Sequence, residues 1–170
     1  MSNKLLLFCG SLLFFMSSAN AGAGRSSQLS LGVDALLEAR VALYYRGERV
    51  TDKSIDFPLP VNAANGFFEE LSDYFYVVGN IENAKVKFAD EFILDDEEAP
   101  GRNISMVGAF VFNEIRYDVT SDLTVPVLRD FRQGTSTNGF KVHMKSQHLA
   151  HNYPSGRYVN VFTLILTPAM

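Results

Sequence analysis

Residues 29–44 read LSLGVDALLEARVALY, and the odd positions Leu29, Leu31, Val33, Ala35, Leu37, Ala39, Val41 and Leu43 are all apolar. Most even positions are polar or small, Leu36 being the exception. A period of two places every apolar side chain on one face of an extended chain. Ordinary strands run about five or six residues. Residues 29–43 as one strand would reach about 50 Å, whereas a domain of about 130 residues has a diameter of roughly 36 Å. Such a strand would overhang its own domain. A helix also fits the segment: Asp34 would cap it, Leu37, Val41 and Tyr44 would share a face, and Gly47 would end it. The alternation favours the strand, and local sequence leaves both open.

The residues before this segment read as an export signal. Lys4 provides a short positive region, residues 5–15 are an apolar run, and Ala19-Asn20-Ala21 has the small-x-small form of a cleavage site. The run is too short to span a bilayer, which takes about 20 apolar residues. Residues 1–21 are therefore expected to be a signal peptide, with residues 22–40 as an N-terminal extension and 41–170 as the folded domain. The one cysteine, Cys9, falls inside the signal. A mature chain without a thiol forms no disulfide and has no cysteine nucleophile or thiolate metal site.

After residue 40 the strand signals are short and separated by turn chemistry. They occupy residues 54–59, 73–80, 84–94, 106–113, 114–120, 123–128, 139–146 and 157–167. Val86 and Phe88 alternate with Lys85 and Lys87; Ile115, Tyr117 and Val119 with Arg116 and Asp118; Phe140, Val142 and Met144 with Lys141, His143 and Lys145. Besides the opening segment, only residues 65–71 have helical character. Many short strands at this spacing predict an all-β sandwich.

Few residues suggest chemistry. The three histidines, His143, His148 and His151, have no metal-ligand spacing and no carboxylate near them in sequence, so they are expected at the surface. Asp95, Asp96, Glu97 and Glu98 lack the alternate-position pattern of a calcium loop and read as a solvated charge run. No serine has a nucleophile-elbow context and no glycine-rich phosphate loop occurs. The chain is expected not to be an enzyme and to need no cofactor or metal. Its net charge of −4, with basic residues scattered, gives no footprint for nucleic acid. Phe67, Phe68, Tyr74, Phe75, Tyr76, Phe110 and Phe112 are expected to line the core.

The C-terminal segment supplies context. GRYVNVFTLILT, residues 156–167, has Gly156 and Tyr158, then Asn160 and Val161, then a long alternating run; Tyr153-Pro154-Ser155 precedes it. This resembles the closing strand of alpha-class chaperone-usher fimbrial major subunits, the colonization factor antigen type of pilin. NAKVKFAD, residues 83–90, is similar to the family's central Lys-Val-x-Val-Lys-Leu-Ala-Asp, with Phe88 in place of leucine. LYYRGERVTDKSIDFPL, residues 43–59, is similar to its early strand, glycine turn and second strand. Asn160 stands where these pilins usually have glycine.

The resemblance implies an incomplete immunoglobulin-like β-sandwich completed by a donor strand from a neighbouring subunit. Leu29, Leu31, Val33, Ala35, Leu37 and Ala39 would be the exported strand, and Tyr153, Gly156, Tyr158, Asn160 and Val161 the C-terminal strand motif. Implied partners are identical or related pilin subunits, a periplasmic chaperone, an outer-membrane usher and a host-surface receptor. The implied location is a fimbrium at the cell surface, reached through the periplasm. A self-contained secreted β-sandwich that binds a small ligand or glycan as a monomer is the alternative.

Overall fold

The computed structural model describes residues 38–169. The expected signal peptide and Leu29, Leu31, Val33, Ala35 and Leu37 lie outside the described residues. The described chain is all-β, a sandwich of two layers, with two single 3₁₀ turns at Phe131–Gln133 and Ala150–Asn152.

The first layer begins with β1 (Val41–Tyr45) and β2 (Glu48–Arg49), joined by Arg46 and Gly47. Both linking residues have positive φ, 50° and 82°. That is the geometry of a two-residue type I′ hairpin, whose twist suits the flanking strands. β1 pairs antiparallel along its length with β4 (Phe75–Gly79). On its other side β4 touches β10 (Phe140–Ser146) at Phe75, and β3 (Glu69–Leu71) continues along β10. β10 then pairs with β7 (Asn103–Phe112). The far side of β7 carries β8 (Ile115–Asp118) and, end to end with it, β6 (Ile93–Asp96), with β11 (Tyr158–Val159) outermost.

The second layer is smaller: β5 (Asn83–Phe88) lies between β9 (Leu123–Leu128) and β12 (Leu164–Ala169), both antiparallel to it. The two layers are linked where the end of β4 pairs in parallel with β9, Val77 opposite Val127. Between the layers, Phe110 of β7 is fully buried and stacks on Phe88 of β5 with ring centroids 5.3 Å apart. Phe140 meets Phe110 edge-on at 5.7 Å. Ile104, Val77, Val86 and Val125 complete the buried centre. Burying each such side chain is worth about 1.5–3 kcal/mol, enough to hold the layers together without a disulfide.

Several sequence expectations change. Residues 65–71 are not helical: Asn62 Oδ1 accepts the Ala64 N–H at 3.0 Å and Asn65 Oδ1 accepts the Phe67 N–H at 3.1 Å. These local side-chain bonds turn the backbone away from a helix, and residues 69–71 join β10. Residues 54–59 form no strand, as their prolines allow; only Val61 bridges to Phe68. The run 84–94 is split into β5 and β6, and 157–167 into β11 and part of β12. The helical reading of 29–44 fails for Val41 to Tyr44, which belong to strand β1.

Candidate functional site

The C-terminal segment is divided because it serves both layers. Tyr158 lies opposite Asp96 in β11, and its hydroxyl donates to the Pro154 carbonyl at 2.9 Å. Asn160 then ends the pairing. Its Nδ2 donates to the Ile93 carbonyl at 2.6 Å, and its Oδ1 accepts the Val161 N–H at 2.7 Å. Val161 is 75% exposed at the crossing. Thr163 is caught by Asp90, whose Oδ2 accepts its N–H at 2.6 Å, and β12 begins one residue later.

Gly156 and Tyr153 prepare that path. A Cβ on Gly156 would lie 2.7 Å from Asp96 Oδ2, so the chain passes where only glycine fits. Asp96 is the correction to the solvated-run reading: Asp95, Glu97 and Glu98 are exposed, but the Asp96 side chain is fully buried. Its Oδ1 accepts the N–H groups of Glu98 and Ala99, at 2.9 and 3.2 Å, and Oδ2 faces Arg102 Nε at 3.3 Å. Tyr153 packs beside Phe68 with centroids 6.4 Å apart, and its hydroxyl accepts the His148 N–H at 3.2 Å.

β12 has β5 on one side and, among the described residues, no paired strand on the other. The register identifies the free groups. Ala89 N–H donates to the Thr163 carbonyl at 2.9 Å, and antiparallel bonding alternates, so Ile165 and Thr167 face β5 with their backbone groups. The N–H and C=O of Leu164 and Leu166 therefore point outward. Pro168 agrees with this phase: its missing N–H falls on the outward side, where proline is tolerated.

The side chains on this strand are incompletely covered. Val86 and Ala84 on β5 are at 0% exposure, yet Leu166 and Pro168 opposite them, and Leu164 opposite Phe88, are only half-buried. Phe162 extends the row and stacks on Phe92 at 5.0 Å. β1 runs close to β12 but makes no ladder bond with it.

The chain reaches β1 at a fixed point. Asn80, just after β4, donates from Nδ2 to the Glu38 carbonyl at 2.7 Å and accepts the Arg40 N–H on Oδ1 at 2.6 Å. Ala39, the one expected donor residue within the described chain, lies between these anchors and is exposed. Gly79 lets the Arg40 carbonyl approach: a Cβ there would meet that oxygen at 2.2 Å. Sequence reasoning missed Asn80, although a Gly-Asn pair closing a strand was visible.

The histidines divide. His148 and His151 are exposed, but His143, expected at the surface, is 6% exposed and bonded to Glu69 and Arg116. The carboxylate absent from its sequence neighbourhood is supplied by β3. Among the aromatics, Phe75 and Phe110 are buried and Phe67, Phe68, Tyr74, Tyr76 and Phe112 are half-buried. Among the described residues no helix is long and apolar enough to cross a membrane, and no group of three or more His, Cys, Asp or Glu could hold a metal ion.

No known family profile matches the chain, and no curated protein matches it. Among solved structures it is similar to a chain from a chaperone–tip adhesin complex of CFA/I fimbriae biogenesis, at 10% identity and a TM-score of 0.48. The likeness covers 77% of this chain and 42% of that one, so this chain spans less than half of its length.

Proposed function

We propose that the protein is a non-enzymatic structural subunit of an adhesive fimbria that polymerises by strand donation. In this reading the extension of one subunit, within residues 22–40, supplies a strand that lies along the outer edge of β12 in the next. Leu29, Leu31, Val33, Ala35 and Leu37 then turn toward the half-buried row of Phe162, Leu164 and Leu166, while Ala39 stays at its own domain between the two bonds to Asn80. The observation that carries the reading is that outer edge, where backbone groups of Leu164 and Leu166 point outward beside incompletely covered leucines.

The physical chemistry suits the role. Backbone ladder bonds give affinity that does not depend on sequence, and alternate side chains give register. Burying the apolar face of residues 29–37 contributes a gross gain near 10 kcal/mol, set against the cost of ordering the strand. A head-to-tail contact of this kind does not close on itself and builds filaments. Until a donor arrives the edge is an aggregation hazard. A periplasmic chaperone that occupies it, and an outer-membrane usher that receives the subunit, complete the reading and take the chain to the cell surface.

The test compares the mature chain with a form lacking residues 22–37, by size-exclusion chromatography and negative-stain microscopy, adding a synthetic peptide of residues 27–41 to the shortened form. Filaments or a size ladder from the full chain, and thermal stabilisation of the shortened form by the peptide, are expected. A stable monomer indifferent to the peptide would overturn the proposal in favour of a monomeric binding module.

A further inference from the structure

His143 sits on the outward face of the first layer with both ring nitrogens engaged. Nε2 is 2.8 Å from Glu69 Oε1 of β3, and Nδ1 is 2.6 Å from a terminal nitrogen of Arg116 on β8. An arginine only donates, so Nδ1 must accept, and a neutral ring then carries its proton on Nε2 and donates it to Glu69. The two partners make different demands. Glu69 accepts the Nε2 proton in either state of the ring, whereas a proton on Nδ1 would set one donor and one cation directly against another.

β8 has little else to hold it. All four of its residues are exposed, and it pairs with β7 alone. Arg116 stands opposite Val111 and His143 opposite Ala109, so the guanidinium reaches diagonally across β7 to the ring. A cleft of about 470 Å³ opens over the imidazole, with Asn62, Leu71, Val111 and Glu114 on its walls.

We infer that His143 is a proton-operated latch: neutral, it ties β8 to β10 through Arg116, and protonated, it keeps Glu69 and releases Arg116 and the β8 edge. The charged groups on every side fit this division. β3 presents Glu69, which the protonated ring retains. On β10 itself Lys141 lies over the Tyr74 ring at 4.4 Å, and Lys145 lies over the Phe67 ring at 4.1 Å and is 4.0 Å from Glu69 Oε2; neither meets the imidazole as a counter-charge. β8 presents Arg116 and Asp118, the latter in the row of Ala109 and His143 with its Oδ1 accepting the Thr120 N–H at 2.8 Å. Glu114, in the turn before β8, lines the same cleft and offers the freed guanidinium a carboxylate. β7 contributes no charge beside the ring.

The test uses the full mature chain and two readouts. Nitrogen-15 NMR of the imidazoles across an acid titration should show His143 as the Nε2–H tautomer at the upper end and doubly protonated once the ring has taken up a proton. Amide protection factors of residues 115–118 should fall about tenfold across that titration, the equivalent of one lost hydrogen bond, while those of β5 and β12 hold. Arg116→Gln should have weak, pH-independent protection in β8. An Nδ1–H tautomer at the upper end, unchanged β8 protection across the titration, or a wild-type fall retained in Arg116→Gln would overturn the latch. The NMR arm needs no variant, so a variant that fails to fold does not shelter the inference.

Discussion

Asn80 and Arg40 hold each other by a reciprocal pair of hydrogen bonds: the Asn80 side chain accepts the Arg40 N–H at 2.6 Å, and the Arg40 carbonyl accepts the Asn80 N–H at 3.1 Å. With the bond to the Glu38 carbonyl, this clamps the backbone just before β1. Residues 38–40 are therefore held at a defined place beside the end of β4.

Replacing Asn80 with alanine removes both side-chain bonds and leaves the backbone bond. The groups are exposed, so water replaces part of the loss, and Asn80→Ala should cost about 1 kcal/mol in urea unfolding. Limited proteolysis should cut sooner near residues 38–40. Unchanged cleavage there would show that the clamp does not hold the segment.

Gly156→Ala should be more damaging than an exposed glycine substitution usually is. The new Cβ meets the buried Asp96 carboxylate at 2.7 Å, and the chain there is pinned on both sides by β11 and the Tyr158 hydroxyl bond. A loss of about 1–3 kcal/mol is expected from overpacking. Combined with Asp96→Ala the two losses should not add, because the second removes the clash; additive losses in a double-mutant cycle would refute the steric account.

The Glu69 carboxyl is held below its ordinary value, first by the hydrogen bond from Asn65, against an opposing push from burial, and then by His143 and Lys145. A carboxyl lowered in the folded state stabilises the fold above its unfolded value, and that contribution is lost as pH falls through the folded value. Asn65→Ala should therefore cost most near neutral pH and less in acid. A constant remainder is expected from the lost bond to the Phe67 N–H. A urea-midpoint difference that stays the same at every pH would contradict this assignment.

Phe110→Ala would open a cavity at the contact between the layers. Phe110 touches Phe88 on the opposite layer and Phe140 on its own, and such truncations cost about 3–5 kcal/mol. Calorimetry should show a much lower Tm than for Phe112→Ala, whose ring is already half-exposed at the layer's margin.

The strand positions were largely legible because their signals are local. Ala84, Val86 and Phe88 alternate against Lys85 and Lys87, and the structure turns those two sets to opposite faces. The boundary between residues 113 and 114 was legible too, but both were read as strand ends, and the structure makes them a two-residue turn with positive φ, which asparagine tolerates. What stayed hidden depends on partners distant in sequence. Asp96 looks like its solvated neighbours until Gly156 is brought against it. His143 looks like a surface residue because Glu69 is 74 positions away. The break at Asn160 has a similar origin, since the acceptor that stops the strand is the Ile93 carbonyl, 67 positions earlier.

Strand donation is tested most directly by trapping it. In a chain carrying Cys9→Ser, Leu166→Cys on β12 is combined in turn with Leu31→Cys, Val33→Cys or Ala35→Cys, and the exported protein is run on a non-reducing gel. The account predicts a ladder of covalent oligomers for the register in which the two positions meet, collapsing to monomer on reduction. Monomer at all three registers, with or without an internal disulfide, would contradict it.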